Sequence, residues 1–260
     1  MAFEPSHSAV QQARQPHENS CQMTRFESLL LNTAVKPYRS AGKFATHFAR
    51  GKLSGDPVFR EILARGLIAP NAHVLDIGCG QGLLSAWLLA AESLASHPAW
   101  PQGWRTAPRA VTVKGIELMP ADVVRAAKAL SAHRARFKFE VGDMCTTPLE
   151  QANTAVILDV LHYVPYAAQE EVLQRVFDAL MPKGLLILRV GDAAGGLGFK
   201  VSNWVDHVVT MARGHSLSRL YCKTVSEWLN QLTGLGFTVE AKPMSQGTPF
   251  ANVLLLARKN

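Results

Sequence analysis

The sequence predicts an α/β fold built on a doubly wound, mostly parallel sheet, and three observations support this prediction. Residues 74–82 combine a short apolar strand with a turn that has a glycine at every second position. Apolar strand-like segments then alternate with helical segments as far as Val190. After Gly236, two apolar segments flank a loop, which is typical of an antiparallel pair. Strands that alternate with helices form parallel sheets, and such sheets collect ligands at the carboxyl ends of their strands.

The glycine turn is the most specific of these features. Gly78, Gly80 and Gly82 follow the strand that contains Asp76, and glycine takes positive φ angles without strain. Such a turn brings backbone N–H groups close to a ligand. Dinucleotide-binding turns have glycines spaced G-x-G-x-x-G, whereas Leu83 stands here in the place of the third glycine. The spacing argues against a nicotinamide cofactor.

The remaining elements follow in order along the chain. Asp56 and Pro57 predict the start of a helix, because aspartate caps helix N-termini and proline suits the first helical position. That helix extends to about Arg65, and another is expected over 121–132. Beyond the first strand, strands are expected at 111–117, 136–141, 154–158, 185–190, 237–241 and 253–257. The sheet would then have seven strands, with the C-terminal strand antiparallel.

Length and composition fit a single large domain. The chain has 260 residues, 48% of them hydrophobic, which is enough for one α/β core. Residues 1–24 are polar and aperiodic, so we expect a flexible N-terminal tail followed by one domain over 25–260. No signal-peptide pattern or apolar run of spanning length occurs, which favours a cytoplasmic protein. The four cysteines lack metal-ligand spacing, so we expect free thiols and no metal.

Four motifs in this order resemble those of the class I S-adenosylmethionine (SAM) methyltransferases. They are the 74–82 loop, Glu117 at the end of the second strand, the corner Gly142-Asp143-Met144, and Asp159 after the fourth strand. The resemblance covers about residues 55–260. It implies the class I methyltransferase fold, with SAM as cofactor and S-adenosylhomocysteine (SAH) as product.

The same resemblance implies which residues hold the cofactor. The glycine loop and Asp76 would face the methionine end of SAM, with Asp159 near the amine. Glu117 would bind the ribose, and Asp143 and Met144 the adenine. The implied cofactor-binding residues are Asp76, Gly78, Cys79, Gly80, Glu117, Leu118, Asp143, Met144 and Asp159.

His162 is the candidate catalytic residue. It follows the fourth strand, where the acceptor meets the methyl group in proteins of this family, and the ordinary pKa of histidine suits base catalysis near neutral pH. Three interpretations are open: a general base, a group that orients the acceptor, or a cap for the helix after Pro165. We interpret Tyr163 as packing or as a wall of the acceptor pocket.

The formal net charge of +7 is unevenly distributed. Between Lys36 and Lys52, basic residues alternate with aromatic ones and no acid occurs. We expect lid segments at about 36–52 and 193–222, and the basic residues of the second are Arg213, His215, Arg219 and the adjoining Lys223. Two basic segments beside one pocket favour an anionic acceptor or an acidic partner, although a solvated basic face would give the same pattern. Candidate substrate-binding residues are Tyr38, Arg39, Lys43, Tyr163 and Arg189.

Together these features predict methyl transfer from SAM to oxygen or carbon of a small, anionic, aromatic or acyl acceptor. Residues 37–44 and 51–59 resemble methyltransferases of bacterial aryl-polyene or fatty-acid-like pigment pathways, which implies an aromatic acid or an acyl chain on an acidic carrier protein as the acceptor. The alternatives are a nucleic-acid methyltransferase and a non-catalytic SAM-binding partner protein. The chain lacks the Asn/Asp-Pro-Pro-aromatic tetrad and the Pro-Cys dipeptide of base-modifying enzymes, which argues against nucleic acid.

Overall fold

A computed structural model of the chain describes residues 24–193, 220–244 and 252–260. The strands are β1 (His73–Ile77), β2 (Thr112–Glu117), β3 (Phe137–Val141), β4 (Ala152–Leu158), β5 (Leu180–Gly191), β6 (Phe237–Pro243) and β7 (Asn252–Lys259). They form one sheet in the order β3-β2-β1-β4-β5-β7-β6. Neighbours from β3 to β5 are parallel, and β7 is antiparallel to β5 and β6. The predicted seven-stranded, mostly parallel sheet with an antiparallel C-terminal strand is confirmed.

Helices cover both faces of this sheet. The α-helices are α1 (Arg25–Val35), α2 (Lys43–Gly55), α3 (Pro57–Ala64), α4 (Leu83–Ser93), α5 (Pro120–Ala129), α6 (Tyr166–Ala179) and α7 (Val225–Gly234). Short 3-10 helices occupy Lys36–Ala41, Ser131–His133 and Leu161–Tyr163. The expected start of α3 is confirmed, because the Asp56 side chain accepts a hydrogen bond from the Val58 N–H and Pro57 follows the cap.

The core consists of two apolar layers, one on each face of the sheet. Successive strand residues point to opposite faces, so Val74 packs with α1 to α4 whereas Leu75 packs with α6 and α7. The strands of the parallel part are apolar on both sides for this reason. Between β1 and β4 the strand order reverses, and such a reversal opens a crevice at the carboxyl ends of the strands.

Some boundaries differ from the predicted ones. β5 begins at Leu180 instead of residue 185, because Leu180 already pairs with Ala152 across an irregularity in the ladder. α5 ends at Ala129, and a 3-10 turn replaces its expected last residues. The predicted lid over 36–52 consists of a 3-10 helix and most of α2. Most of the predicted lid over 193–222, including Arg213, His215 and Arg219, lies outside the described residues.

Two further observations concern the described ranges only. No helix within them is long and apolar enough to cross a membrane. No group of three or more His, Cys, Asp or Glu side chains in the described part of the chain is placed to hold a metal ion. Cys79, Cys145 and Cys222 are free thiols.

Candidate active site

The glycine turn lies at the carboxyl end of β1. The N–H groups of Gly78 and Cys79 both donate to the Ile116 carbonyl, at 2.8 and 3.2 Å, which ties the turn to β2. All three glycines have positive φ angles, +74° at Gly78, +53° at Gly80 and +73° at Gly82. A Cβ on Gly78 would lie 2.6 Å from the Val160 side chain, whereas one on Gly80 would meet no atom within 4 Å. Gly80 therefore faces open space.

Asp76 supplies a buried carboxyl group directly before this turn. The residue is 5% exposed, and its Oδ2 atom has no hydrogen-bond partner. Burial and the nearby charge of Glu117 raise the pKa of Asp76 to about 7. A buried carboxyl oxygen without a partner is costly unless a ligand supplies a donor or a positive charge. Asp76 therefore fits a cationic group such as the amine of SAM.

Glu117 connects the glycine turn to the next helix. Its Oε2 accepts from the Gly80 N–H at 2.9 Å, and its Oε1 accepts from the Met119 N–H at 2.9 Å. Each carboxylate oxygen can accept a second hydrogen bond, so these contacts are compatible with ribose binding. The adjacent Leu118 is 58% exposed at the same strand end.

Asp143 and Met144 form a corner just beyond β3, which pairs with β2 up to Glu117 and Val141. The Asp143 Oδ1 accepts from the Cys145 N–H at 2.8 Å, and this bond fixes the turn. Asp143 is exposed and Met144 is half-buried. The structure thus brings the ribose and adenine candidates to neighbouring strand ends.

A cluster of four charged side chains lies on the other side of the crevice, at the ends of β4 and β5. Arg189 is 2% exposed, and its Nε donates to the Asp159 Oδ1 at 2.7 Å. Its Nη2 donates to the Asp56 Oδ2 at 2.6 Å. The Lys52 Nζ lies 2.9 Å from Asp56 and 3.3 Å from Asp159. We call Lys52, Asp56, Asp159 and Arg189 the ionic cluster.

The positive side chains of the ionic cluster lower the pKa values of its two aspartates. Burial alone would raise the pKa of Asp159, but the charges of Arg189 and Lys52 hold it well below its usual range. The pKa of Asp56 is lowered in the same way against burial. Arg189, predicted as a substrate-binding residue, is thus engaged by two carboxylates. The sequence analysis did not predict Lys52 or Asp56 as site residues. The sequence around Asp56 indicates a helix cap and nothing more.

A cavity of about 400 Å³ adjoins the ionic cluster. It lies between α2, the start of α3 and the end of the sheet at which β5 finishes and β7 starts. Its lining residues are His47, Phe48, Gly51, Lys52, Gly55, Asp56, Pro57, Arg189, Met244 and Asn252.

His162 and Tyr163 lie in the 3-10 helix that follows β4. The His162 residue is 6% exposed, and its ring centroid lies 4.3 Å from that of Tyr163. Burial lowers the pKa of His162 to about 4, although the charge of Asp159 acts in the opposite direction. α6 begins at Tyr166, and its N-cap residue, Pro165, makes no side-chain capping hydrogen bond.

The three substrate candidates near the N-terminus take different positions. Tyr38 is fully buried, and its hydroxyl donates to the Gln81 carbonyl of the glycine turn at 2.8 Å. This contact ties Tyr38 to the glycine turn. Arg39 and Lys43 are exposed on the surface and do not line the cavity.

Comparisons with known proteins agree with this geometry. Residues 46–242 match the family described as "Methyltransferase domain". A carboxy-S-adenosyl-L-methionine synthase of Chromohalobacter salexigens is 29% identical over 140 residues, which are 51% of this chain and 47% of that protein. The ribosomal RNA small subunit methyltransferase A of Prochlorococcus marinus is 26% identical over 147 residues, 56% of this chain and 45% of that protein. The chain thus spans about half the length of the curated relatives it matches.

One solved structure is similar in fold to nearly the whole chain. The magnesium protoporphyrin IX methyltransferase of Synechocystis PCC 6803, determined with bound SAH, superposes with a TM-score of 0.55 at 20% identity. The superposition covers 90% of this chain and 98% of that one. The family match covers three quarters of the chain, and the chain therefore belongs to the methyltransferase domain family.

Proposed function

We propose that this protein transfers a methyl group from SAM to a small-molecule acceptor with an aromatic or acyl body and an anionic group. The observation that carries the proposal is the division of the crevice into two halves. One half, at β1 to β3, holds the glycine turn and Asp76, the residues suited to SAM. The other half, at β4 and β5, holds the ionic cluster and a cavity with apolar walls.

Asp76 and Gly80 are the two residues whose surroundings best suit a bound SAM molecule. The buried Asp76 oxygen without a partner accommodates a cationic amine, and the open space beside Gly80 lets a ligand approach the backbone. When bound, SAM would supply a methyl group on a positively charged sulfur, and attack on that carbon by a lone pair of the acceptor would break the carbon–sulfur bond and release SAH. The protein's own task is to orient the two molecules and exclude water.

The pKa of His162 indicates which kind of acceptor group this site suits. A group with a pKa of about 4 is neutral at physiological pH and weakly basic, so it is poorly matched to a phenol with a pKa near 10. A carboxylate acceptor, already ionised, needs no base. We therefore favour His162 as a group that orients an anionic acceptor over His162 as the general base.

The charge of the N-terminal segment supports an anionic acceptor or carrier. Arg39 and Lys43 are exposed, and within the described ranges no carboxylate forms an ion pair with either of them. Exposed positive charge on a protein surface attracts anionic ligands and acidic proteins by long-range steering. Presentation of the acceptor on an acidic carrier protein, as in a pigment pathway, and a cytoplasmic location are part of this proposal.

The ribosomal RNA methyltransferases among the relatives support a second candidate function. The same exposed basic residues would suit an RNA backbone. We rank this candidate second because a cavity walled by Phe48, Pro57 and Met244 suits an apolar small molecule.

Two measurements test the proposal. Calorimetry should show that the purified protein binds SAH without added metal or nicotinamide nucleotide. Mass spectrometry of cells with and without the gene should then reveal a metabolite that differs by one methylene unit.

Other outcomes would favour the alternatives. Binding without any methylated product would favour a non-catalytic SAM-binding protein, and a modified SAM would favour the activity that the carboxy-SAM synthase relatives are named for. Methylation confined to RNA would contradict a small-molecule acceptor.

A further inference from the structure

The cavity beside the ionic cluster contains two glycines on one helix. Gly51 and Gly55 lie four residues apart on α2, so both face the same side, and both line the cavity. A Cβ built on either residue would meet no atom within 4 Å. Both residues are exposed at the cavity wall, so at these two positions, about one helical turn apart, α2 presents backbone without a side chain to the cavity.

Neither backbone conformation nor close packing explains these glycines. Both have helical conformation, and neither has the positive φ angle that would require glycine. No neighbouring backbone approaches so closely that a side chain would clash. Glycine is also a poor helix former, so its use at Gly51, inside the helix, opposes helix stability. What the two glycines do provide is unfilled volume in the cavity.

We propose that Gly51 and Gly55 hold open the binding site for the apolar body of the acceptor, and that they set the size of acceptor the enzyme takes. The inference rests on the proposed function for the identity of this ligand as the methyl acceptor. Phe48, on the same helix as the glycines, and Pro57 and Met244 are apolar residues that also line the cavity. Lys52 stands at the polar end of the cavity with its side chain 41% exposed.

The polar end indicates which head group the ligand carries. A lysine ammonium has three N–H donors, and Asp56 and Asp159 accept from two of those of Lys52. The third donor is available to a carboxylate or sulfonate. Arg189 contributes little directly, because two carboxylates already bind its guanidinium. The ligand class is therefore an aromatic ring or acyl chain with one anionic head.

The fluorescent dye anilinonaphthalene sulfonate, an aromatic body with an anionic head, provides a probe that does not depend on methyl transfer. It should bind the wild-type protein with enhanced fluorescence, and decanoate should displace it. Gly51→Leu and Gly55→Leu should each weaken dye binding by about tenfold or more, because leucine fills the cavity. SAH affinity, measured by calorimetry, should change less than about twofold in both variants. Ser54→Leu, at an exposed position of the same helix that does not line the cavity, should change neither affinity.

Gly51→Ala provides a second test that does not depend on the larger variants folding. Alanine favours the helix, so Tm should rise by about 2–4 °C while dye binding weakens. Unchanged dye affinity in the glycine variants, an equal loss in Ser54→Leu, or no dye binding to the wild type would overturn the inference. If the wild type binds the dye but not SAH, the proposed function fails while the assignment of the cavity as a ligand site stands.

Discussion

At the scale of single residues, Asp76 connects stability and ligand binding. Its pKa of about 7 lies above that of an unfolded aspartate, so the unfolded chain ionises first as pH rises. The carboxyl group therefore costs stability progressively between about pH 4 and pH 7, and the full cost persists above that range. A buried group that destabilises the fold and has no partner for Oδ2 is typical of a binding site.

Asp76→Asn should stabilise the protein and weaken its ligand binding. Removing the ionisable group should raise the free energy of unfolding by up to about 4 kcal/mol at pH 8, with little change near pH 4. SAH affinity should fall by about tenfold or more, because the amide cannot pair with a cation. Denaturant unfolding at the two pH values and calorimetry measure both effects. Asp178→Asn, an exposed acid on α6, serves as the control, and a wild-type SAH affinity in Asp76→Asn would contradict the assignment.

His162 yields a prediction about the pH dependence of turnover. An ordinary imidazole would give an acid limb near pH 6.5 if its neutral form were required. Burial has lowered this pKa to about 4, so the rate should stay flat down to about pH 5. We expect His162→Gln to keep most of the turnover and His162→Ala to lose about tenfold, as for a hydrogen-bonding group that orients the acceptor. An acid limb near pH 6.5, or a Gln variant as slow as Ala, would support a general base instead.

At the scale of elements, the contrast between the glycine turn and the ionic cluster shows what sequence reveals. The β1 turn, the capped start of α3 and the seven strands depend on local signals such as glycine spacing, an Asp-Pro pair and apolar alternation. All of these were predictable. The ionic cluster joins Asp56 to Arg189 across 133 positions, and no local pattern encodes that pairing. The burial of Tyr38 was likewise unreadable, because an aromatic residue in a basic segment resembles a surface residue until the fold covers it.

The segment over 36–52 gives a prediction of its own, because it is joined to the cofactor loop through Tyr38. Tyr38→Phe removes the hydrogen bond to the Gln81 carbonyl and leaves that buried acceptor unpaired, at a cost of about 1–3 kcal/mol. SAH affinity should fall, and amide exchange over 36–52 should become faster. Tyr166→Phe is the matched control, because its hydroxyl also donates to a distant carbonyl, that of Cys222, but at an exposed position. Equal exchange and equal affinity in Tyr38→Phe would show that the segment acts independently of the loop.

At the scale of the whole molecule, the ionic cluster holds the N-terminal helices to the sheet. Lys52 belongs to α2, Asp56 begins α3, Asp159 ends β4 and Arg189 lies in β5. Two positive and two negative side chains balance in a site where Arg189 is almost fully buried. Breaking a buried pair leaves uncompensated charge, which costs far more than losing an exposed pair. The position of α2, and with it the cavity, should therefore depend on Arg189.

Arg189→Met should lower the free energy of unfolding by about 3–5 kcal/mol at pH 7, because two half-buried aspartates would lose their main partner, itself almost fully buried. The folded pKa values of Asp56 and Asp159 are lowered, so this stabilisation is fully present above the unfolded value near 4 and is lost as pH falls from there through the lower folded values. The difference between variant and wild type should accordingly shrink progressively under acid conditions. A series of denaturant titrations from about pH 7 down to about pH 2 measures it.

The Arg65 pair is a suitable control for this variant, because Arg65 binds Glu240 through two hydrogen bonds of 2.7 and 2.8 Å at the surface. Arg65→Met should cost less than about 1 kcal/mol, since solvent screens an exposed pair of similar geometry. The comparison separates burial from hydrogen-bond number as the cause of the larger loss. Arg189→Met could instead unfold like the wild type and only raise the Michaelis constant for the acceptor. That result would show that Arg189 binds the substrate directly, and that the ionic cluster opens during the reaction to free the Arg189 side chain.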